Sequence, residues 1–176
     1  MSQTFLCSCC GAEIPGPPMS WSFNAPSPWN ALSEQEKDQG HFSSDLCVIG
    51  DEHFFVRGLI ELPLPGEEKF TWNVWVSVSK QNFGRVCDSW DEPKRANEPA
   101  YFGWLCNSIP GYTETLLLKT MVHTRAIGLR PLIELEPTDH PLALEQRHGI
   151  TMERVRQIAE AMYHHNARME DVSQGH

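Results

Sequence analysis

The sequence predicts an α+β protein: a mostly antiparallel sheet of five or six strands covered by C-terminal helices, with a small Cys-containing knuckle at the N-terminus. Three observations predict it. Between Asp45 and Ser79 hydrophobic residues recur with a period of two, the mark of half-buried strands. At Pro137 the period becomes about 3.6, the mark of amphipathic helices. Near the start, Cys7 and Cys10 have C-x-x-C spacing and Gly11 follows, as where a turn folds amides around a metal-bound sulfur.

The chain has 176 residues, the usual size of one domain. The expected division is a knuckle and Pro-rich loop over 1–32, mainly strands over 33–136, and a helix pair over 137–168. Net charge is −9, and such a field repels phosphate backbones and anionic membranes, so the expected partner is an unknown small molecule or a protein rather than nucleic acid or membrane. The start, MSQTFLCSCCG, has neither a basic n-region nor an apolar h-region. No apolar run approaches the ~20 residues of a membrane helix. A cytoplasmic location follows as the expectation. In that reducing compartment, Cys7, Cys9, Cys10, Cys47, Cys87 and Cys106 are expected as thiols or metal ligands rather than disulfides.

Taken in order, FLCSCCGAEI (5–14) forms the knuckle. PGPPMSWSFNAPSPWNA (15–31) holds five prolines and reads as an extended loop, anchored on the core by Trp21, Phe23 and Trp29. Ser33 and Glu36 make a capping box, predicting a short helix over 34–39 that stops at Gly40. Phe54, Val56, Ile60 and Leu62 share one strand face. Phe70, Trp72, Val74, Val76 and Val78 share another, and LPLPGEE between them predicts a hairpin. Trp75 lies on the polar face of its strand, so it either packs under another element or lines a binding surface. A short helix is expected around 80–90, then strands over 101–109, 115–124 and 131–136. Pro141 suits a helix's first turn, with Thr138 or Asp139 as cap, and Gly149 ends that helix. Thr151 caps the next, whose buried stripe is Val155, Ile158, Ala159 and Met162. His164 and His165 lie toward its C-terminal end, and beyond Asn166 a frayed tail is expected.

Candidate chemistry sits in two places. A structural zinc at Cys7 and Cys10 needs four ligands, so the missing pair must come from Cys9, Cys47, Cys87, Cys106 or a distant histidine. The alternatives are small buried thiols, or a redox dithiol for which no strand–motif–helix context is present. The second place is the PTDHP turn. Asp139 beside His140, with Glu136, Glu134 or Glu145 in reach, is the candidate catalytic group of a hydrolase-like enzyme, since a carboxylate fixes an imidazole's tautomer and raises its pKa. The competing reading makes Asp139 a cap. No nucleophile elbow, P-loop, zinc-protease or dinucleotide motif is present, which favours a binding or interaction module over an enzyme. Residues 142–163 are locally similar to the helix-turn-helix of primary sigma factors, with Arg154, Arg156 and Gln157 as base readers. The pair carries as many glutamates as arginines, and the chain is acidic, so two packed helices are the simpler reading.

CxxCG near the start, DLCVIG (45–50), FFVRG (54–58), WVSVS (75–79), YFGWLCNSIPGYTETLLLK (101–119) and RPLIELEPTDHPLALEQRHGIT (130–151) together resemble the bacterial family catalogued as domain of unknown function 2199. The similarity spans nearly the whole chain, and EPTDHPLALEQRHGI is its most specific part. The family has no assigned activity, so the resemblance implies identity without mechanism. It also implies a histidine soon after the CxxCG; here that region reads AEIPGP, with no histidine before His41.

Overall fold

A computed structural model describes residues 4–175, so residues 1–3 of the expected knuckle segment lie outside the described residues. The strands run β1 Thr4–Leu6, β2 Glu13–Pro15, β3 Ser20–Ser22, β4 His41–Phe42, β5 Leu46–Ile49, β6 His53–Pro63, β7 Lys69–Val78, β8 Tyr101–Leu105, β9 Lys119–His123 and β10 Leu132–Leu135. The helices are α1 Ser27–Asn30, α2 Glu34–Asp38, α3 Lys80–Asp88, α4 Pro141–His148 and α5 Met152–Gln174, with a 3-10 turn at Arg95–Asn97.

The mixed α+β class is as expected, but the main sheet is not a simple antiparallel one. β6, β7, β8, β9 and β10 form a meander that closes on itself as a five-stranded barrel. Each sequential neighbour is antiparallel. An odd number of alternating strands leaves the first and last pointing the same way, so the closing contact, Leu132 against Leu59, must be parallel. A second parallel contact sets β3 beside β7, inside the segment expected to be a loop. β5 and β4 extend the sheet beyond β6, and β1 and β2 form a separate hairpin. The short outer strands, two to four residues each, are too brief to show a period, which is why the expected count fell short.

The β6–β7 hairpin sets the geometry. Its register runs unbroken from Phe54 opposite Val78 to Pro63 opposite Lys69. Val56, Ile60, Leu62, Phe70, Trp72, Val74 and Val76 fill the barrel interior together with Leu105, Val122 and Ile133. Helices α4 and α5 add Leu142, Ala143, Val155, Ile158 and Met162 to the same core. Each such side chain contributes roughly 1.5–3 kcal/mol when fully buried, Ala143 less. The stripe expected on α5 is the buried one, Ala159 included. That helix does not fray after Asn166 but continues to Gln174. The caps also differ in one place: α4 is capped by His140, whose Nδ1 accepts from Leu142 N–H at 3.1 Å, rather than by Thr138 or Asp139.

Trp75 resolves as a packed residue. It is fully buried on the outer face of the hairpin with Phe55, Cys47 and Cys106, under Phe23 and Trp29 of the Pro-rich segment. Its indole Nε1–H donates to Phe23 O at 2.9 Å. Buried Asn107 accepts from Trp75 N–H and donates to Ala25 O, so the same polar group fixes the barrel edge and the segment over it. Buried polar groups satisfied in this way hold a loop in one position. Among the described residues no helix is long and apolar enough to cross a membrane.

The α4–α5 corner rests on Gly149, at φ +81° and ψ 175°, backbone that essentially only glycine adopts. A Cβ there would lie 2.7 Å from Pro63 O, the acceptor of the Ile150 N–H. Gly149→Ala is expected to destabilise the protein by about 2–4 kcal/mol, combining backbone strain with overpacking. The measurement is a lowered urea midpoint at unchanged slope.

Candidate metal centre

The knuckle is built by the β1–β2 hairpin. Leu6 pairs with Glu13, and the Cys7 N–H donates to Ala12 O at 2.8 Å, closing a tight loop over residues 7–12. Gly11 sits at φ +71°, a left-handed turn favouring glycine, and gives its N–H to Cys7 O. This bend folds Cys7, Cys9 and Cys10 toward one point. Helix α5 passes beside it. Glu160 accepts from the Ser8 amide at 2.8 Å and from the Ser8 hydroxyl at 2.9 Å, clamping the loop to the helix. One turn later on the same face stands His164. Its Nε2 is 3.2 Å from Cys7 Sγ, 3.1 Å from Cys9 Sγ and 3.9 Å from Cys10 Sγ.

The ligand atoms of these four residues all lie within 4.8 Å of one another, so they can hold a metal ion. Cys7 is buried, Cys9 and Cys10 are exposed, and His164 is half-buried, placing the cluster at the surface with an entry path. The amide of Cys9 aimed at the Cys7 sulfur, then His164, pull the Cys7 thiol down to about 6 against partial desolvation. The same crowding works the other way on Cys9: its bond to the Cys7 sulfur, then burial, then the charges of Cys7 and Cys10 push it up to about 11. One thiolate therefore forms easily and a second one against it does not. A cation at the centre removes that opposition, which is the electrostatic logic of a thiolate metal site.

Of the expected metal residues, Cys7 and Cys10 are brought together. Cys9 and His164, two of the sources that the spacing left open, lie beside them and could complete a set of four ligands. The histidine absent after the CxxCG is supplied from far along the chain. Helix phase held the signal, since Glu160 and His164 fall on one face, but nothing local tied that face to the cysteines. Cys47 and Cys106 are small buried thiols against Phe55 and Trp75, and burial pushes Cys47 up to about 12. Cys87 is exposed on α3, apart from the cluster.

The expected catalytic group is arranged differently. Because His140 Nδ1 accepts from Leu142, the ring proton belongs on Nε2, which faces Glu114 O and Thr113 Oγ1, each at 3.2 Å. Asp139 and Glu136 are exposed, and among the described residues no carboxylate contacts the ring. The hollow lined by Glu136, Thr138 and His140 holds about 30 Å³, the space of roughly one or two waters. Glu134 instead pairs with His123 at 2.7 Å. Glu145 takes Arg154 Nε at 2.6 Å and the Tyr112 hydroxyl, and the Arg154 guanidinium lies 5.0 Å over the Tyr112 ring. Of the base readers expected at 142–163, Arg154 is committed to this network, and Arg156 faces Glu153 at 3.7 Å.

A closed meander barrel with a three-cysteine, one-histidine knuckle clamped to its long helix describes the class of molecule. The chain belongs to the family described as an uncharacterized protein conserved in bacteria, DUF2199, which matches residues 6–150. The match includes the cysteines and stops short of His164. No curated protein and no solved structure matches the chain.

With Cys9 held protonated near neutrality, binding a divalent cation must expel at least about one proton per ion, and affinity must rise with pH from 7 toward 9. Calorimetric titration with zinc in buffers of different ionisation enthalpy measures this. A proton count of zero would refute cysteine ligation.

Proposed function

We propose that the protein is a zinc-stabilised binding protein in which Cys7, Cys9, Cys10 and His164 hold one structural Zn²⁺. The observation that carries this reading is the convergence of three sulfurs and one imidazole nitrogen within 4.8 Å from segments 154–157 positions apart. The donor chemistry fits: thiolate and imidazole are the ligands of tetrahedral structural zinc, and a full set of four leaves no open position for a reacting water. That completeness favours a structural over a hydrolytic ion. An amide pointing at the Cys7 sulfur matches how such knuckles spread thiolate charge. A thiolate site of this kind belongs in a reducing compartment, in keeping with a cytoplasmic protein.

In this reading the ion joins the β1–β2 hairpin to the middle of α5 and does no chemistry itself. The barrel core contains none of its ligands. Removing the ion therefore loosens the hairpin and the distal half of α5 while the barrel stays folded. The partner is a small molecule or a protein.

Purified protein is expected to carry about one equivalent of zinc by elemental analysis, and His164→Ala or Cys9→Ser to carry much less. With free zinc at 1,000 times its Kd, the ion stabilises the native state by about 4 kcal/mol. A chelator is expected to lower Tm and open Arg168 to trypsin with little change in near-UV dichroism from the barrel tryptophans. Metal-free protein indifferent to both zinc and chelator would refute the proposal.

A further inference from the structure

Beyond the cysteine cluster, the most unusual distribution of charge lies where β5 and β6 meet the loop 124–131 and the turn after α3. In a chain of net charge −9, Arg57, Arg95 and Arg130 line a single cavity of about 310 Å³. Its walls come from β5, β6, the end of α3, the 3-10 turn, the start of β8 and the loop 124–131. The size is at the lower end of small-molecule sites.

The three arginines are not equivalent. Arg130 is neutralised, with Nε on Asp45 Oδ1 at 2.7 Å and Nη1 on Asn73 Oδ1 at 3.1 Å. Burial raises the Asp45 carboxyl, but the bonds from Arg130 and Ser44 and the charges of Arg130 and Arg57 outweigh it and hold it below its usual range. Among the described residues, neither Arg57 nor Arg95 has a carboxylate oxygen within 4.0 Å. Arg57 gives its Nη groups to the carbonyls of Ser44 and Phe23, and Arg95 gives Nη1 to Trp90 O. In both side chains Nε is buried without a partner. Arg95 is only 6% exposed. Arg57 is half-buried and shares the charge of Asp45 with Arg130, whereas Arg95, a buried cation with spare donors and no carboxylate in contact, is costly unless something supplies the anion. The remaining charges on the wall are Asp45 and Asp91, so three arginines against two aspartates leave one net positive charge.

The rest of the wall is apolar. Arg95 lies 5.3 Å from the Trp90 ring centre, which leaves an aromatic face beside a cation. Ile127 and Leu129, about half exposed, stand at the rim with Trp90. Exposed apolar residues around a concave polar centre mark a binding site more than a bare surface.

We propose that this cavity binds a small organic carboxylate, with its anionic end at Arg57 and Arg95 and an apolar body against Trp90, Ile127 and Leu129. One net positive charge matches a monoanion. A phosphate monoester, at about −1.5 to −2, would leave the cavity negatively charged. The site shares no residue with the cysteine cluster, so it stands or falls independently of the metal.

The test is a titration of the full-length, zinc-replete protein with benzoate, followed by the Trp90 indole N–H and the Arg57 and Arg95 Nε–H resonances. Saturable shifts at these three residues are expected. Benzyl alcohol, the same body without charge, is expected to bind about 10- to 100-fold more weakly, and benzylammonium and phenyl phosphate also more weakly than benzoate. Arg57→Met, a half-buried change outside the barrel interior, is expected to weaken benzoate about tenfold. The ligand series on the unaltered protein carries the test even if Arg95 variants fail to fold. Absence of saturation up to about 10 mM, shifts that map elsewhere, or equal binding of benzyl alcohol would overturn the proposal. Tighter binding of phenyl phosphate would overturn the carboxylate assignment.

Discussion

The twisted β6–β7 hairpin is the constraint that the rest of this molecule answers to. It has two faces and two outer edges, and each imposes a requirement. Its inner face carries Val56, Ile60, Trp72 and Val74, which need a closed space and find it in the barrel. Its outer face carries Phe55 and Trp75, which need a cover and find it in the Pro-rich segment. Each edge is shared by two strands: β5 and β10 along β6, β3 and β8 along β7. Sharing the edges leaves few ladder groups unpaired, the liability that open sheets must otherwise manage. The end of β6 also serves the helices, since Pro63 O accepts the Ile150 N–H at the α4–α5 corner.

What the sequence made legible follows from what is periodic. The alternation over Phe70–Val78, the Ser33–Glu36 capping box and the α5 stripe are local patterns, and the structure contains them. Closure of the barrel is not local. It depends on which strand edge meets which, and Leu132 beside Leu59 leaves no trace in either segment's own pattern. Trp75 looked anomalous because one-sided burial was assumed; a covered outer face removes the anomaly. His140 is a subtler case. Its neighbours Asp139 and Glu136 suggested an acid–base pair, while the ring itself takes the capping role. The cysteine spacing gave half of the candidate cluster, and the other half required knowing that α5 packs on the knuckle.

The two candidate sites are electrostatic opposites on one acidic scaffold. The knuckle gathers sulfurs whose ionisation each hinders the next, so it calls for a cation. The arginine cavity sets three guanidinium groups against two aspartates, and buried Arg95 has no carboxylate in contact, so it favours an anion. Burial sharpens both demands, because the low dielectric that penalises an unmatched charge also strengthens its match. Neither is needed to fill the barrel, whose interior is packed by the side chains of its strands and of α4 and α5.

The distance along the chain between Cys7 and His164, 157 positions, has a consequence for how the molecule comes together. With an ion held between them, the backbone becomes a ring. The unfolded chain is not so linked, so closing that ring rests on the native packing that brings its ends together. The order of events is also fixed. The three sulfurs leave the ribosome long before the imidazole is made, and until then this site has only its three sulfurs to offer. The fourth arrives only when α5 has been synthesised, has wound and has docked beside the knuckle. If the cluster holds an ion, full coordination is thus a late act of folding, and a chain whose helix has not docked beside the knuckle has no complete site to load.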